Sequence, residues 1–177
     1  KYAIIRFVAW NASHDIGHKG FSEANKIKLV TELSRYIKVF ISSEGDLPEE
    51  LKEYQIKIKP ENMHNVLYYA QLLVGESATM ASECAMVGTP AIYINNSHFG
   101  SIDSQAEYGL IHLFNEDELG QEHSIKEAIE ILSYPDIKHE FRERAQRMLE
   151  DKIDVTSFLV WFIENYPESV KEVKSPE

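Results

Sequence analysis

In residues 75–83, Ser77 and Thr79 place two hydroxyl groups where a predicted strand passes into a predicted helix, and the Glu83 carboxylate follows within two turns. If Ser77 or Thr79 caps this helix, its oxygen accepts one backbone N–H and the other free N–H groups stay open to an anion. Thr79 and Glu83 are four positions apart, so they share a helix face with a rise of about 6 Å between them. An ionised Glu83 can accept hydrogen bonds from two vicinal hydroxyls. The segment predicts a site for a phosphate with a ribose beside it; the alternative is an ordinary capped core helix with a solvated Glu83.

A second concentration of polar side chains lies in the predicted loop of residues 10–21. His14, His18 and Lys19 could contact a phosphate or a sugar, because long loops that follow buried strands often carry function. The spacing of the two histidines also admits a zinc site, although Gly17 argues against the helix that would place both on one face. A structured surface loop without a ligand is the third interpretation.

The elements that position these residues follow from apolar runs and helical periodicity. Between and after the predicted strands, apolar residues recur at helical spacing, as they do at Met63, Val66, Leu67 and Ala70. Alternating strands and helices predict right-handed crossovers and an α/β fold. We expect a Rossmann-like, doubly wound, mostly parallel six-stranded sheet with helices on both faces. Its ligands should bind beyond the carboxyl ends of the strands. The six predicted strands are residues 3–9, 38–42, 54–58, 72–74, 91–94 and 110–114.

Composition excludes several classes of protein. The net charge of −11 over 177 residues argues against a nucleic-acid partner, because no basic stripe is present to match the phosphate backbone. No apolar run approaches the roughly twenty residues of a membrane span, and no signal peptide is recognisable. Cys84 is the single cysteine and so cannot form an intramolecular disulfide. These features favour a cytoplasmic protein.

The two ends of the chain suggest how it is organised. A predicted strand begins almost at Lys1, which is not a Met. We therefore expect residues 1–166 to form a single domain. This domain would be a fragment of a longer protein whose N-terminal domain is missing here. Residues 167–177 are charged and contain prolines, which predicts a flexible tail.

Residues 75–83, together with the Gly88-Thr89-Pro90-Ala91-Ile92 run, resemble the C-terminal half of the GT-B glycosyltransferase architecture. They are especially similar to the nonhydrolysing UDP-N-acetylglucosamine 2-epimerases, in which Asp stands at the position of Glu76. The resemblance to the family named domain of unknown function 354 extends to residues 6–15 and 42–45.

This resemblance implies a role for each candidate residue. Ser77, Ala78 and Thr79 would contact a diphosphate and Glu83 the ribose, and Glu76 joins the ligand-binding candidates. His64 opens a helix near the place where the base often sits in this architecture. Ordinary helix entry is the equal alternative for His64.

The resemblance further implies the nucleotide-sugar-binding half of a GT-B-type glycosyltransferase. A nucleoside diphosphate sugar would be the substrate, with no cofactor and no metal. The helix start and neighbouring basic groups would stabilise the departing diphosphate; the catalytic residues remain unknown. The missing N-terminal domain would supply the acceptor side, so this half alone should bind nucleotide weakly and be inactive. Glycosyl transfer is favoured over epimerisation because the epimerases' Arg-bearing segment has no clear counterpart in residues 95–107.

Three alternatives stay open: an epimerase-like enzyme half, a non-catalytic nucleotide-binding module, and a serine hydrolase. The hydrolase would use Ser77, because residues 75–79 nearly match the Gly-x-Ser-x-Gly nucleophile elbow. Thr79 replaces the last glycine of that motif and would crowd its strained turn. Asp103 and His123 are the candidate partners of Ser77.

Overall fold

The computed structural model describes residues 1–10, 17–97 and 100–174. Its centre is a parallel sheet in which the strands lie in the order β2 (Lys38–Ser43), β1 (Tyr2–Phe7), β3 (Leu72–Gly75), β4 (Ala91–Ile94) and β5 (Ile111–Phe114). Apolar residues predominate in β3 and β4, and every residue of these two strands is buried because helices cover both faces of the sheet.

Helices pack on both sides of this sheet and divide the core in two. The helices are α1 (Glu23–Ser34), α2 (Met63–Tyr69), α3 (Ala78–Met86), α4 (Gly100–Glu107), α5 (Glu118–Ser133), α6 (Ile137–Glu150), α7 (Val155–Glu164) and α8 (Glu168–Lys174). Leu29 of α1 and Ile125 of α5 belong to one apolar cluster. Leu67 of α2, Cys84 of α3 and Phe141 of α6 belong to the other. The predicted α/β class with a parallel sheet and helices on both sides is therefore confirmed.

The predicted sixth strand, residues 54–58, is not formed. A 3₁₀ helix, Glu49–Tyr54, occupies the start of this segment, and a second one, Pro60–Asn62, follows it. Between them only an isolated parallel bridge joins Gln55 to Ile41, with the Ile56 N–H donating to the Ile41 carbonyl at 2.8 Å. Because helical turns bound it closely on both sides, this stretch is too short for a ladder.

The C-terminal helices stand apart from the two apolar clusters. All ten residues of α7 are described, and none of their side chains is buried, although the helix is strongly apolar. Helix α8 lies in the segment predicted as a tail and packs on α7, where the buried Ser169 hydroxyl donates to the Phe162 carbonyl at 2.7 Å. Within the described ranges, no helix has the length and apolarity needed to traverse a bilayer.

Candidate functional site

A cleft of about 890 Å³ lies at the carboxyl edge of the sheet. It opens beyond the ends of the paired strands β1 and β3, because the chain leaves β1 toward β2 on one side and later places β3 on the other. Such a switch point is where parallel α/β sheets bind ligands, because the loops on either side leave a crevice there. The lining residues are Val8, Trp10, His18, Glu44, Glu76, Ser77, Ala78, Thr79, Ser82, Glu83, Tyr93, Asn95, Ser97, Ser101 and Ile102.

The β3–α3 turn forms one wall of the cleft. A Cβ on Gly75 would lie 2.7 Å from the Arg6 carbonyl oxygen, so only glycine allows β3 to pair this closely with β1 at its end. Ser77 is the N-cap of α3, and its hydroxyl accepts from the Met80 N–H at 3.4 Å. The N–H groups of Ala78 and Thr79 begin the helix and have no partner within it. The predicted cap is present, and the cleft meets the open end of the helix.

Glu83 and His64, both predicted ligand-binding residues, lie together at the side of the cleft. The His64 Nε2 is 3.2 Å from the Glu83 Oε1. The Glu83 side chain is 32% exposed, and it lines the cleft on the same helix as Thr79. His64 is 73% exposed and lies outside the lining. Glu83 is therefore available to a ligand in the cleft, and His64 can orient its carboxylate from outside.

Glu76 is almost fully buried and is occupied by the protein itself. Its carboxylate accepts from the Val8 N–H at 2.7 Å and from the Phe21 N–H at 2.6 Å. These amides lie at the two ends of the β1–α1 loop. Burial raises the pKa of Glu76, while the two backbone hydrogen bonds act in the opposite direction. The carboxylate thus holds the loop against β3, and the ligand contact predicted for Glu76 remains a prediction.

Gly20 lets the loop pass over Glu76. Its φ of +58° is a left-handed conformation that favours glycine, and an added Cβ would lie 2.2 Å from the Glu76 Oε1. A side chain at position 20 would therefore displace the carboxylate from its two amides.

A second buried carboxylate, Glu116, holds the same loop from the other side. It accepts from the Lys19 N–H at 2.8 Å, the Gly20 N–H at 3.1 Å and the Asn96 N–H at 3.2 Å. Its Oε1 is also 2.5 Å from the His18 Nδ1. Burial acts to raise the pKa of Glu116, but these hydrogen bonds outweigh burial and hold the pKa below its ordinary value. Glu116 is therefore ionised at neutral pH.

His18 points from this carboxylate into the cleft. Its Nε2 is 3.0 Å from the Ser97 Oγ, and its ring stacks on Trp10 with a centroid distance of 5.6 Å. The side chain is only 17% exposed. Stacking and two hydrogen bonds therefore fix the ring, and the structure brings His18, Ser97 and Glu116 together from three separate loops.

The other predicted contacts are placed differently. Lys19 is exposed and outside the lining, and His14 lies outside the described residues, so neither its ligand role nor the zinc alternative is addressed. His123 is exposed on α5 and does not line the cleft, so the described residues do not assemble the Ser77–His123 pair of the hydrolase alternative.

The cleft carries more acidic than basic side chains. Among the described lining residues, His18 is the sole basic one, against Glu44, Glu76 and Glu83. Arg6 offsets Glu44 by pairing with it, and backbone amides occupy Glu76. An anion in this cleft would therefore depend chiefly on the N–H groups at the start of α3.

Sequence reasoning missed Glu116, Ser97 and the role of Trp10. One signal was available for Glu116, because it follows β5 within two residues and must lie at the carboxyl edge of a parallel sheet. Nothing local marks Ser97, since its partner His18 is 79 positions away.

No family model matches the chain, and no curated protein matches it. The resemblance to the domain of unknown function 354 family is therefore not confirmed. Solved structures do match. The glycosyltransferase VinC in complex with dTDP is 14% identical with a TM-score of 0.61, over 92% of this chain and 41% of VinC. The spinosyn forosaminyltransferase SpnP is 11% identical with a TM-score of 0.58, over 93% of this chain and 44% of SpnP. A UDP-N-acetylglucosamine 2-epimerase is 15% identical with a TM-score of 0.55, over 98% of this chain and 45% of the epimerase.

The chain spans less than half the length of each of these proteins. Likeness at such low identity establishes the fold alone. That fold is the Rossmann-like domain shared by GT-B glycosyltransferases and UDP-N-acetylglucosamine 2-epimerases.

Proposed function

We propose that the cleft binds the nucleoside diphosphate part of a nucleotide sugar, and that the chain is the C-terminal, donor-binding half of a GT-B-type glycosyltransferase. One observation carries the proposal: the open start of α3 and the Glu83 carboxylate lie along one wall of the cleft at the sheet's switch point. The N–H groups at the helix start suit a diphosphate, and the carboxylate suits a pair of ribose hydroxyls.

Each residue has a defined part in this proposal. Ser77 fixes the helix start, and the N–H groups of Ala78 and Thr79 donate to the diphosphate. Glu83 accepts from the ribose, while His64 orients its carboxylate at 3.2 Å. During transfer, negative charge grows on the departing diphosphate, and fixed N–H dipoles stabilise that charge without reorganising.

The shortage of positive charge limits what this chain does alone. His18 is the one basic side chain among the described residues of the lining, so a diphosphate gains little from ion pairing. We therefore propose that a preceding domain completes the site and binds the acceptor. The isolated chain should bind nucleotides weakly and transfer no sugar.

Calorimetric titration with UDP, dTDP, GDP and CDP, and with their sugars, tests the proposal. At least one nucleotide should bind, and Glu83→Ala should weaken that binding by about 10- to 100-fold, the effect of losing hydrogen bonds to a charged group. Inorganic pyrophosphate, which lacks a ribose, should bind both proteins alike.

Glu61→Ala is the matched control, because Glu61 is exposed and lies outside the cleft. It should leave nucleotide affinity unchanged. Failure of every nucleotide to bind, or equal weakening by both substitutions, would contradict the proposal.

A further inference from the structure

Ser97, His18 and Glu116 form a continuous chain of hydrogen bonds that ends in the cleft. The Ser97 Oγ is 3.0 Å from the His18 Nε2, and the His18 Nδ1 is 2.5 Å from the Glu116 Oε1. A nucleophile, a base and an orienting carboxylate within hydrogen-bond reach are the parts of an activated serine. We propose that Ser97 is a nucleophile that cleaves small carboxylic esters, with His18 as its base and Glu116 as the residue that positions His18.

Glu116 has the surroundings this role requires. It is 8% exposed, and N–H groups of the protein donate to both of its oxygens. Two of these donors, Lys19 and Gly20, directly follow His18, so the carboxylate holds the backbone that carries the ring as well as the ring itself. In neutral His18, the proton then lies on Nδ1, and the Nε2 lone pair faces the Ser97 hydroxyl.

The serine and the histidine can also reach a substrate. Both line the cleft, whereas Glu116 lies behind them. Trp10 stacks on the histidine ring at an interplanar angle of 17° and restricts its rotation. The base is thus held in place while the Ser97 oxygen stays accessible.

The reaction balances with water as the second reactant. The Ser97 Oγ attacks the ester carbonyl carbon as its proton passes to the His18 Nε2. The alkoxide then leaves with that proton, and an acyl ester forms on Ser97. Water attacks this ester through the same base, releases the carboxylic acid and returns the proton to Ser97.

In this proposal the start of α3 supplies the donors for the oxyanion. The N–H groups of Ala78 and Thr79 have no partner within the helix, and both residues line the cleft that contains Ser97. Preorganised backbone donors of this kind stabilise the charge of a tetrahedral intermediate. This second activity does not depend on nucleotide binding, and its serine is not the Ser77 of the elbow-like motif.

Labelling with a fluorophosphonate probe tests the proposal directly. Attack by the Ser97 Oγ forms a P–O bond and expels fluoride, and the proton passes to His18. Peptide mapping of the full chain should find the probe on Ser97, with no labelling there in Ser97→Ala. In His18→Ala the labelling rate should fall about 100-fold or more, in keeping with the loss of a general base.

Ser101→Ala is the matched control, because Ser101 lines the same cleft and lies outside the hydrogen-bonded chain. It should label at the wild-type rate, and thermal melts should show that each variant is folded. Probe on another serine, no probe at all, or equal labelling in His18→Ala would overturn the proposal.

A spectroscopic readout separates positioning by Glu116 from a structural role. The wild-type proton NMR spectrum should contain a far-downfield signal from the His18 Nδ1–H. That signal should disappear in His18→Ala and move upfield in Glu116→Gln, while Ser101→Ala leaves it in place. Its absence from the wild-type protein would refute the hydrogen-bonded arrangement.

Discussion

Replacing Glu76 with alanine should destabilise the protein by removing the acceptor of two loop amides. The Val8 and Phe21 N–H groups donate to its carboxylate at 2.7 and 2.6 Å. Hydrogen bonds to a charged group contribute about 1.5–3 kcal/mol each, so the loss is about 3–6 kcal/mol. Relief of the carboxylate's own burial, and water reaching the partly buried Val8 amide, offset some of this loss. We therefore expect a net loss of about 2–4 kcal/mol in the free energy of unfolding.

Urea denaturation of Glu76→Ala measures the free energy of unfolding, and a thermal melt measures the melting temperature. Hydrogen exchange measures the protection of the Phe21 amide. A loss of that size in a chain of this length lowers the melting temperature by roughly 5–15 °C. The Phe21 amide should exchange faster than in wild type, because its acceptor is gone. Glu76→Gln keeps one acceptor oxygen, so its free energy of unfolding should lie between those of the wild-type protein and Glu76→Ala.

The control is Glu61→Ala, an exposed glutamate outside the loop contacts, which should change the unfolding free energy by less than about 0.5 kcal/mol. If Glu76→Ala also stayed within that range, with unchanged protection of Phe21, the assignment of Glu76 as the anchor of the loop would be wrong.

Three further predictions concern other parts of the chain. The pKa of Glu116 is lower in the folded state than its ordinary 4.5. The stabilising effect of Glu116 is therefore present above pH 4.5 and is lost as pH falls through the folded pKa. In urea titrations at different pH values, Glu116→Gln should make the free energy of unfolding fall less steeply on the acid side. Gly88 has a φ of +67°, and an added Cβ would lie 2.7 Å from the Arg142 Cα, so Gly88→Ala should cost more than about 1 kcal/mol. Gly100→Ala, which meets nothing within 4 Å, should cost less than about 0.5 kcal/mol in the same denaturation experiment. Leu159→Lys and Ile163→Lys on α7 should each shift the urea midpoint little, because both side chains are already exposed.

Local patterns predicted the parts of the site that lie close together in sequence. The cap at Ser77, the helix after it and the approach of Glu83 to the cleft all lie within ten residues. In the same helix, the small side chains of Ala81 and Ala85 are buried. Short-range periodicity suffices there because one helix positions every group.

Contacts between residues far apart in the sequence could not be predicted in the same way. Glu76 looked like a ligand residue beside Ser77, and only the tertiary structure shows that backbone amides occupy its carboxylate. The apolar alternation at residues 54–58 was typical of a strand, but pairing requires a neighbour over several residues, and only Gln55 finds one. Such outcomes depend on which surfaces meet, and a single sequence does not display that.

The placement of the two buried glutamates also governs the order in which the chain can fold. The β1–α1 loop follows the first strand, but the carboxylates that hold it come from 55 to 98 positions further along the chain. Contacts at such separation form only after long chain loops have closed, and they slow folding accordingly. During synthesis, therefore, residues 17–20 emerge early yet cannot adopt their final conformation until Glu116 has left the ribosome and β5 has joined the sheet.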